Sequence, residues 1–230
     1  MLMFIPKPKL YIVSTPIGNM ADITYRAVEV LKAVDMILSE DTRETDKILK
    51  MYGFSKPQIS YRDQNHARVI EQIKNSLREG KSLALVSDSG TPLISDPGFK
   101  LVRDIITENI EIESIPGPSA VTAALSISGL PTDKFLFVGF LPKTETQKEN
   151  FFKKYADIDA TLIFYESPFR LSKSMKIAHE VLGHRQACVC NDITKLHEEV
   201  VRGSLMELSN YYLQKKIKGE YVVLIAKKDY

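Results

Sequence analysis

Short loops rich in glycine, proline and small polar residues follow five of the strands that the sequence predicts. They span residues 14–19, 40–43, 87–98, 116–119 and 166–168. Ligands of open α/β sheets bind beyond the carboxyl ends of the strands, and glycine lets a ligand approach the backbone closely. Each loop alone would also suit an ordinary turn. Five of them at one edge of the sheets predict a ligand site.

The common signatures of nucleotide sites and hydrolases are missing from these loops. No Gly-x-Gly-x-x-Gly follows the first strand. Gly80-Lys81-Ser82 imitates the end of a phosphate-binding loop, but Asn75 stands where that motif needs glycine. No Ser-His-Asp order or His-Glu-x-x-His is present. His66 and His197 flank polar loops and are possible contacts.

Alternating apolar patterns predict the elements that position these loops. Predicted strands span 10–13, 36–39, 57–61, 82–86, 110–115, 135–139, 161–165, 186–192, 199–202 and 220–226. Predicted helices span 24–33, 44–52, 67–78, 99–108, 120–128, 147–155, 170–182 and 205–213. Strict alternation in the N-terminal half predicts a parallel sheet with helices on both faces. The closer strands of the C-terminal half predict a mixed sheet.

Pro116-Gly117-Pro118 is the strongest break in the pattern of helices and strands, so we expect domains at 1–116 and 117–230.

Composition limits the possible partners. The 230 residues are 44% hydrophobic and 26% charged, which predicts a sizeable core. A net charge of +2 argues against a protein whose whole surface binds nucleic acid. Residues 170–230 hold 11 Lys and Arg but 7 Asp and Glu, so a phosphate-rich partner would favour this part.

Cysteine usage and hydropathy indicate the compartment. Cys188 and Cys190 are expected to be reduced thiols on one face of a buried strand, which fits the cytoplasm. No stretch reaches the ~20 apolar residues of a membrane span, so no membrane partner is expected. The sequence has no cluster of metal-ligating residues, so no bound metal is expected.

Taken together, these segments resemble the RsmI-type ribosomal RNA small-subunit 2′-O-methyltransferases, which belong to the tetrapyrrole-methylase-like enzymes. The most specific segment is residues 85–98, LVSDSGTPLISDPG. The other matching segments are 15–19, 22–24, 40–43, 115–120, 128–133, 164–168 and 194–199. They occur in order along nearly the whole chain.

The resemblance implies a two-domain tetrapyrrole-methylase-like fold that binds S-adenosylmethionine in a cleft between its domains. It also implies a homodimer and methylation of a cytidine ribose in the 16S ribosomal RNA of the small subunit. Nine residues are then expected at the cofactor: Pro16, Ile17, Gly18, Asp88, Gly90, Thr91, Ser119, Ala120 and Glu166. Asp88 should accept a hydrogen bond from the cofactor, although it could instead cap its own turn.

A ribose hydroxyl is a weak nucleophile, so a base or a cation should help to remove its proton. The candidate catalytic residues are Asp41, Arg43, Lys195 and Glu198. The candidate RNA contacts are Arg170, Lys195 and Arg202. For Asp41 and Arg43 the alternative is a structural ion pair, and for the others it is an ordinary solvated charge.

Two other functions suit the same fold. One is a C-methyltransferase acting on a porphyrin or corrin precursor, and the other is a catalytically silent RNA-binding protein. The form of the 87–91 loop argues against the first, and the intact set of loops argues against the second. Phe169 stands where the family pattern has histidine, and Asn191-Asp192 replaces an Arg-Glu pair.

Overall fold

The computed structural model describes residues 5–215 and 218–230, and its chain divides into the units Met1–Ser119 and Ala120–Tyr230. Each unit is built on its own five-stranded sheet. Within the described residues, every helix is too short or too polar to cross a lipid bilayer. The boundary between residues 116 and 117 stays a prediction.

The first unit alternates strands and helices along the chain. Its strands are β1 (Leu10–Val13), β2 (Met36–Ser39), β3 (Gln58–Ser60), β4 (Leu83–Val86) and β5 (Ile112–Ile115). Its α-helices are α1 (Tyr25–Ala33), α2 (Thr42–Met51), α3 (His66–Arg78) and α4 (Phe99–Ile106), with a short 3-10 helix at Met20–Asp22. The strand order is β3-β2-β4-β1-β5, and every neighbouring pair is parallel.

Both faces of this sheet are covered, as predicted. Tyr11 and Val13 of β1 pack in a cluster with residues of α1 and α2. Leu10 and Ile12 pack in a second cluster with residues of α3 and α4. Successive side chains of a strand point to opposite faces, so an unbroken apolar strand contributes to both clusters.

The second unit has a mixed sheet in the order β6-β7-β10-β8-β9. The strands are β6 (Phe135–Phe140), β7 (Thr161–Glu166), β8 (Gln186–Asn191), β9 (Glu199–Ser204) and β10 (Tyr221–Ile225). The helices are α5 (Ala120–Ser128), α6 (Glu145–Lys154), α7 (Leu171–Leu182) and α8 (Leu205–Gln214). Only β6 and β7 pair in parallel; the other neighbours are antiparallel.

The core of this unit joins one face of its sheet to α6, α7 and α8. Phe152, Phe164, Met175, Val189 and Tyr212 are all buried in it. The α5 helix packs against β8 and β10. The predicted α/β architecture, with a parallel sheet followed by a mixed one, is confirmed.

Candidate functional site

Three loops of the first unit are joined at the carboxyl end of its parallel sheet. Thr15, after β1, pairs with Gly90, after β4, as an isolated antiparallel bridge. The Thr91 hydroxyl donates to the Pro118 carbonyl oxygen at 3.1 Å and lies 3.0 Å from the Ser14 hydroxyl. The loops after β1, β4 and β5 therefore form one continuous edge, as the sequence predicted for such loops.

Glycine is required at two points of this edge. Gly90 has a φ of +82°, and a Cβ there would lie 3.3 Å from Cγ2 of Ile17. A Cβ at Gly117 would lie 2.9 Å from Cβ of Ser14, which is closer than real Cβ contacts. The loops approach one another through bare backbone, because larger residues would separate them.

A cluster of carboxyl groups lies beside this edge, between the ends of β2 and β4. The Asp88 carboxylate accepts a hydrogen bond from the Asp41 amide at 2.9 Å, and Glu40 accepts one from the Asp88 amide at 3.4 Å. Burial raises the pKa of Glu40, and the charge of Asp88 adds to that effect. The pKa of Asp88 is also raised, mainly by desolvation. Asp88 thus holds the start of α2.

Asp96 belongs to the same group of carboxyls. Burial raises its pKa to about 6, and repulsion from Glu40 and Asp88 acts in the same direction, while a hydrogen bond from Ser87 opposes it. Glu40 and Asp96 lie in two of the predicted strand-end loops, but the sequence alone indicates no role for either residue. Loop residues rich in Asp and Ser are common in turns, so only the fold reveals that these carboxyls come together.

Asp41 and Arg43 form an ion pair at the start of α2. Asp41 Oδ1 caps the helix by accepting from the Arg43 amide at 2.9 Å. The guanidinium donates to both carboxylate oxygens, at 3.0 Å from Nε and 2.5 Å from Nη2. These bonds hold the pKa of Asp41 well below its usual value. Asp41 is therefore a poor proton acceptor and better suited to orienting Arg43.

Glu166 ends β7 and is the centre of a buried polar network in the second unit. Its Oε2 lies 3.3 Å from Nζ of Lys148 and accepts from the Ser174 hydroxyl at 2.7 Å. Lys148 also donates to Ser174 at 2.6 Å. Oε1 pairs with Nη2 of Arg170 at 2.6 Å and accepts from the Ser167 amide at 2.8 Å.

Both carboxylate oxygens of Glu166 already have partners in this network. A ligand at the end of β7 would therefore contact the neighbouring backbone. Lys148 was missed by sequence reasoning, because a lysine on a polar helix is usually solvated. It is only 2% exposed.

Lys195 and Glu198 share the loop between β8 and β9. Lys195 Nζ pairs with Asp192 at 2.9 Å and with Glu220 at 2.8 Å. Partial burial lowers its pKa, but the bonds that Lys195 donates to Glu220 and Asp192 outweigh that effect and raise the pKa above the usual value. Glu198 accepts from the Thr194 amide at 2.6 Å. Lys195 is therefore a fixed cation rather than a base.

Arg202 on β9 caps the C-terminal end of α5. Its Nε donates to the Ser128 carbonyl oxygen at 3.0 Å, and Nη2 donates to the Ile127 carbonyl oxygen. A cation at this position stabilises a helix by satisfying its last carbonyl groups. Arg202 therefore has a structural role, whatever else it contacts.

His66 is buried at the start of α3 rather than exposed to a ligand. Its Nδ1 lies 3.0 Å from the Tyr61 hydroxyl, and its Nε2 lies 3.0 Å from Oδ2 of Asp104. Burial raises the pKa of Tyr61 to about 12, so this hydroxyl keeps its proton. The three side chains tie α3 to α4.

The predicted cofactor residues fall into two groups. Pro16, Ile17 and Gly18 follow β1, and Asp88, Gly90 and Thr91 follow β4 in the same unit, which ends at Ser119. Ala120 begins α5 and Glu166 ends β7 in the second unit. Their assignment to a cofactor, like the assignment of the catalytic and RNA-contacting residues, stays a prediction.

Comparison with known proteins identifies the family. Residues 9–209 match the family model of tetrapyrrole (corrin/porphyrin) methylases. The chain is 47% identical over 221 residues to ribosomal RNA small subunit methyltransferase I of Rickettsia prowazekii, covering 96% of this chain and 79% of that protein. It is 42% identical to the enzyme of the same name from Thermotoga maritima, covering 96% of this chain and 99% of that protein.

A solved structure shares the fold at low sequence identity. Uroporphyrin-III C-methyl transferase from Thermus thermophilus, complexed with S-adenyl homocysteine, aligns with a TM-score of 0.65 at 16% identity. The alignment covers 95% of this chain and 97% of that one. By fold and by sequence, this chain belongs to the tetrapyrrole methylase family and, within it, to the ribosomal RNA small subunit methyltransferase I enzymes.

Proposed function

We propose that this chain transfers a methyl group from S-adenosylmethionine to the 2′-hydroxyl of a cytidine ribose in the 16S ribosomal RNA of the small subunit. The observation that carries the proposal is the 47% identity to a ribosomal RNA small subunit methyltransferase over 96% of the chain. That match includes both units and all five strand-end loops.

The residues present fit the cofactor. S-adenosylmethionine carries an adenosine, an amino-acid group and a positively charged sulfur. The loops that Thr15, Gly90 and Pro118 hold together also carry the exposed glycines Gly18 and Gly117, whose backbone a nucleoside can approach. The carboxyl groups of Asp88 and Asp96 lie nearby, and their negative charge would attract the positively charged sulfur of the cofactor.

Two residues of the second unit are suited to the ribose. When bound, S-adenosylmethionine supplies a methyl group on a sulfonium centre that is already a strong electrophile. Lys195, kept protonated by Asp192 and Glu220, can orient a phosphate or the ribose oxygen. Glu198 in the same loop is the candidate that accepts the hydroxyl proton, because Arg43 already stabilises the charged form of Asp41. Alignment of nucleophile and methyl carbon supplies the rest of the acceleration.

The test is transfer of labelled methyl from S-adenosylmethionine to purified small subunits that lack the modification. We expect the particle to accept methyl at a cytidine 2′-oxygen, mapped by mass spectrometry, and protein-free RNA to accept far less. A net charge of only +2 leaves few contacts for a naked strand, so particle shape should guide binding. Methylation of a corrin precursor but not of the particle would contradict the proposal. Binding of the particle without methyl transfer would indicate a silent RNA-binding protein.

We also propose a homodimer that works in the cytoplasm. Closed two-fold pairs are the commonest oligomers, and the buried free thiols of Cys188 and Cys190 fit a reducing compartment. Light scattering should give a mass near twice the 26.0 kDa of one chain. A single-chain mass at micromolar concentration would contradict the dimer.

A further inference from the structure

A cavity of about 580 Å³ opens in the second unit beside the N-terminal turns of α6 and α7. Residues 143–146 contribute one side of it, and Phe169, Arg170 and Lys173 contribute the other. Lys148 and Glu149 complete the lining. The cavity is lined by the second unit alone, and none of the roles argued above uses Lys143, Phe169 or Lys173.

The charges of this cavity favour an anion. Lys143, Lys148, Arg170 and Lys173 line it, against the carboxylates of Glu145 and Glu149. Glu145 is paired with Lys173 at the surface, and the buried Glu166 beneath the cavity is paired with Lys148 and Arg170. One positive charge therefore remains in excess even after Glu166 is counted.

Lys143 is the cation with capacity for a new partner. It is exposed, and no ion pair joins it to any residue within 5–215 or 218–230. It directly precedes Thr144, whose hydroxyl caps α6 by accepting from the Gln147 amide at 3.3 Å. The partial positive charge of that helix terminus adds to the charge of Lys143.

Phe169 contributes a solvent-exposed aromatic ring to the lining of the cavity. Its side chain is 95% exposed, whereas phenylalanine is usually buried. The turn that carries it is fixed, because the amides of Arg170 and Leu171 both donate to the Ser167 carbonyl oxygen at 3.1 Å. The backbone that carries the ring is fixed, and the exposed ring lies beside surplus positive charge. Proteins bind single-stranded nucleic acids with this pairing, by stacking bases on the ring and contacting phosphates with the cations.

We propose that this cavity binds one unpaired nucleotide of an RNA, with its phosphate at Lys143 and the start of α6 and its base stacked on Phe169. The inference takes RNA as the partner and in that respect rests on the proposed function. It adds a binding subsite on the α6–α7 side of the second unit. The excess of cations over carboxylates favours RNA over an apolar protein segment.

The experiment measures binding of a fluorescently labelled single-stranded RNA by anisotropy over a salt series that begins at low salt, where even a few phosphate contacts give measurable affinity. Phe169→Leu keeps apolar bulk but removes the ring, so affinity should fall roughly 5-fold or more, while Phe169→Trp should keep wild-type affinity or exceed it. Lys143→Ala should weaken binding and reduce the slope of log K against log salt by about 0.7, the effect of one phosphate on a single strand. Lys153→Ala, at an exposed position on the same helix, should change neither quantity.

Equal affinity of Phe169→Leu and Phe169→Trp would overturn the stacking contact. An unchanged salt slope in Lys143→Ala would overturn the phosphate contact. Thermal unfolding of each variant checks that the fold is kept, which is expected because both positions are exposed.

Methylation of small subunits by the wild-type chain is measured separately. If the wild type methylates the particle and the Phe169 and Lys143 variants bind RNA normally, the subsite is wrong and the proposed function stands. If the variants lose RNA binding but the wild type does not methylate the particle, the subsite stands and the proposed function is wrong.

Discussion

Thr15 and Gly90 exchange two backbone hydrogen bonds, from the Thr15 amide at 2.9 Å and from the Gly90 amide at 3.1 Å. The Thr15 hydroxyl donates a third bond, to the Ser87 carbonyl oxygen at 3.1 Å. Loops that lie far apart in the sequence are thereby fixed relative to each other before any ligand binds. A rigid edge of this kind reduces the conformational entropy that the loops must lose when a ligand binds.

The Gly90→Ala variant tests this edge. Its left-handed φ of +82° and the 3.3 Å approach of a Cβ to Ile17 should lower the free energy of unfolding by about 1–2 kcal/mol. Displacement of the loop should also weaken S-adenosylhomocysteine binding by about tenfold, measured by calorimetry. Gly53→Ala is the matched control, since it has a φ of +73° with no atom within 4 Å. It should lose stability without losing affinity; equal affinities in both variants would remove this loop from the cofactor site.

The Lys148→Ala variant tests the buried network around Glu166. Arg170 still neutralises Glu166 in this variant, but Oε2 of Glu166 loses its contact with Lys148 and the buried space of the lysine is left empty. We therefore expect a loss of about 1–3 kcal/mol in unfolding free energy. Denaturant unfolding measures it. Lys153→Ala on the same helix should change stability by less than about 0.5 kcal/mol. Similar small losses in both variants would show that Arg170 and Ser174 suffice to hold Glu166.

Asp96 should make stability depend on pH. Its pKa is about 6 in the folded chain against the usual 3.8 of an aspartate, so the folded state binds the proton more tightly. The wild type should therefore lose stability as pH rises from ~4 to ~7, by at most about 3 kcal/mol. Asp96→Asn removes this loss, so its stability relative to the wild type should increase over the same range. Parallel curves for Asp96→Asn and the wild type would refute the assignment.

Lys195→Ala should weaken binding to small subunits and reduce the salt slope by about 1, with cofactor affinity unchanged. Lys176→Ala removes another ion-paired surface lysine of the same unit and serves as the control. Filter binding across a salt series measures both variants. Identical slopes would show that Lys195 only braces Asp192 and Glu220.

The alternation of apolar segments was sufficient to predict both sheets. The four-residue strand at 10–13 is apolar throughout, which is the pattern of a strand buried on both faces, and β1 is central in its sheet. Thr24 begins a predicted helix, and its hydroxyl caps that helix by accepting from the Ala27 amide at 3.1 Å. Such local features depend on residues within a few positions of one another, so a sequence displays them directly.

The missed features depend on contacts that are distant in sequence. The structure begins α2 at Thr42 rather than at the predicted 44, because Asp88 from the loop after β4 accepts a hydrogen bond from the amide of the capping residue Asp41. Lys148 is buried only because Glu166 and Ser174 come from other elements to meet it. The pKa of Asp96 is raised because folding buries it and, to a lesser extent, brings it near Glu40 and Asp88. No spacing rule along the chain connects these residues.

The strand order of the first unit has a consequence during synthesis of the chain. Within residues 5–215 and 218–230, β1 is synthesised before the other strands and pairs only with β4 and β5, whereas β2 pairs with the nearby β3. The β1 strand therefore leaves the ribosome without a hydrogen-bonding neighbour and gains its second one only once Ile115 has emerged. At ~5–20 residues per second, its unpaired backbone and apolar side chains stay exposed for several seconds. The nascent N-terminal segment is thus a natural client for chaperones that shield unpaired strands, and slowing translation between β3 and β5 should increase its aggregation.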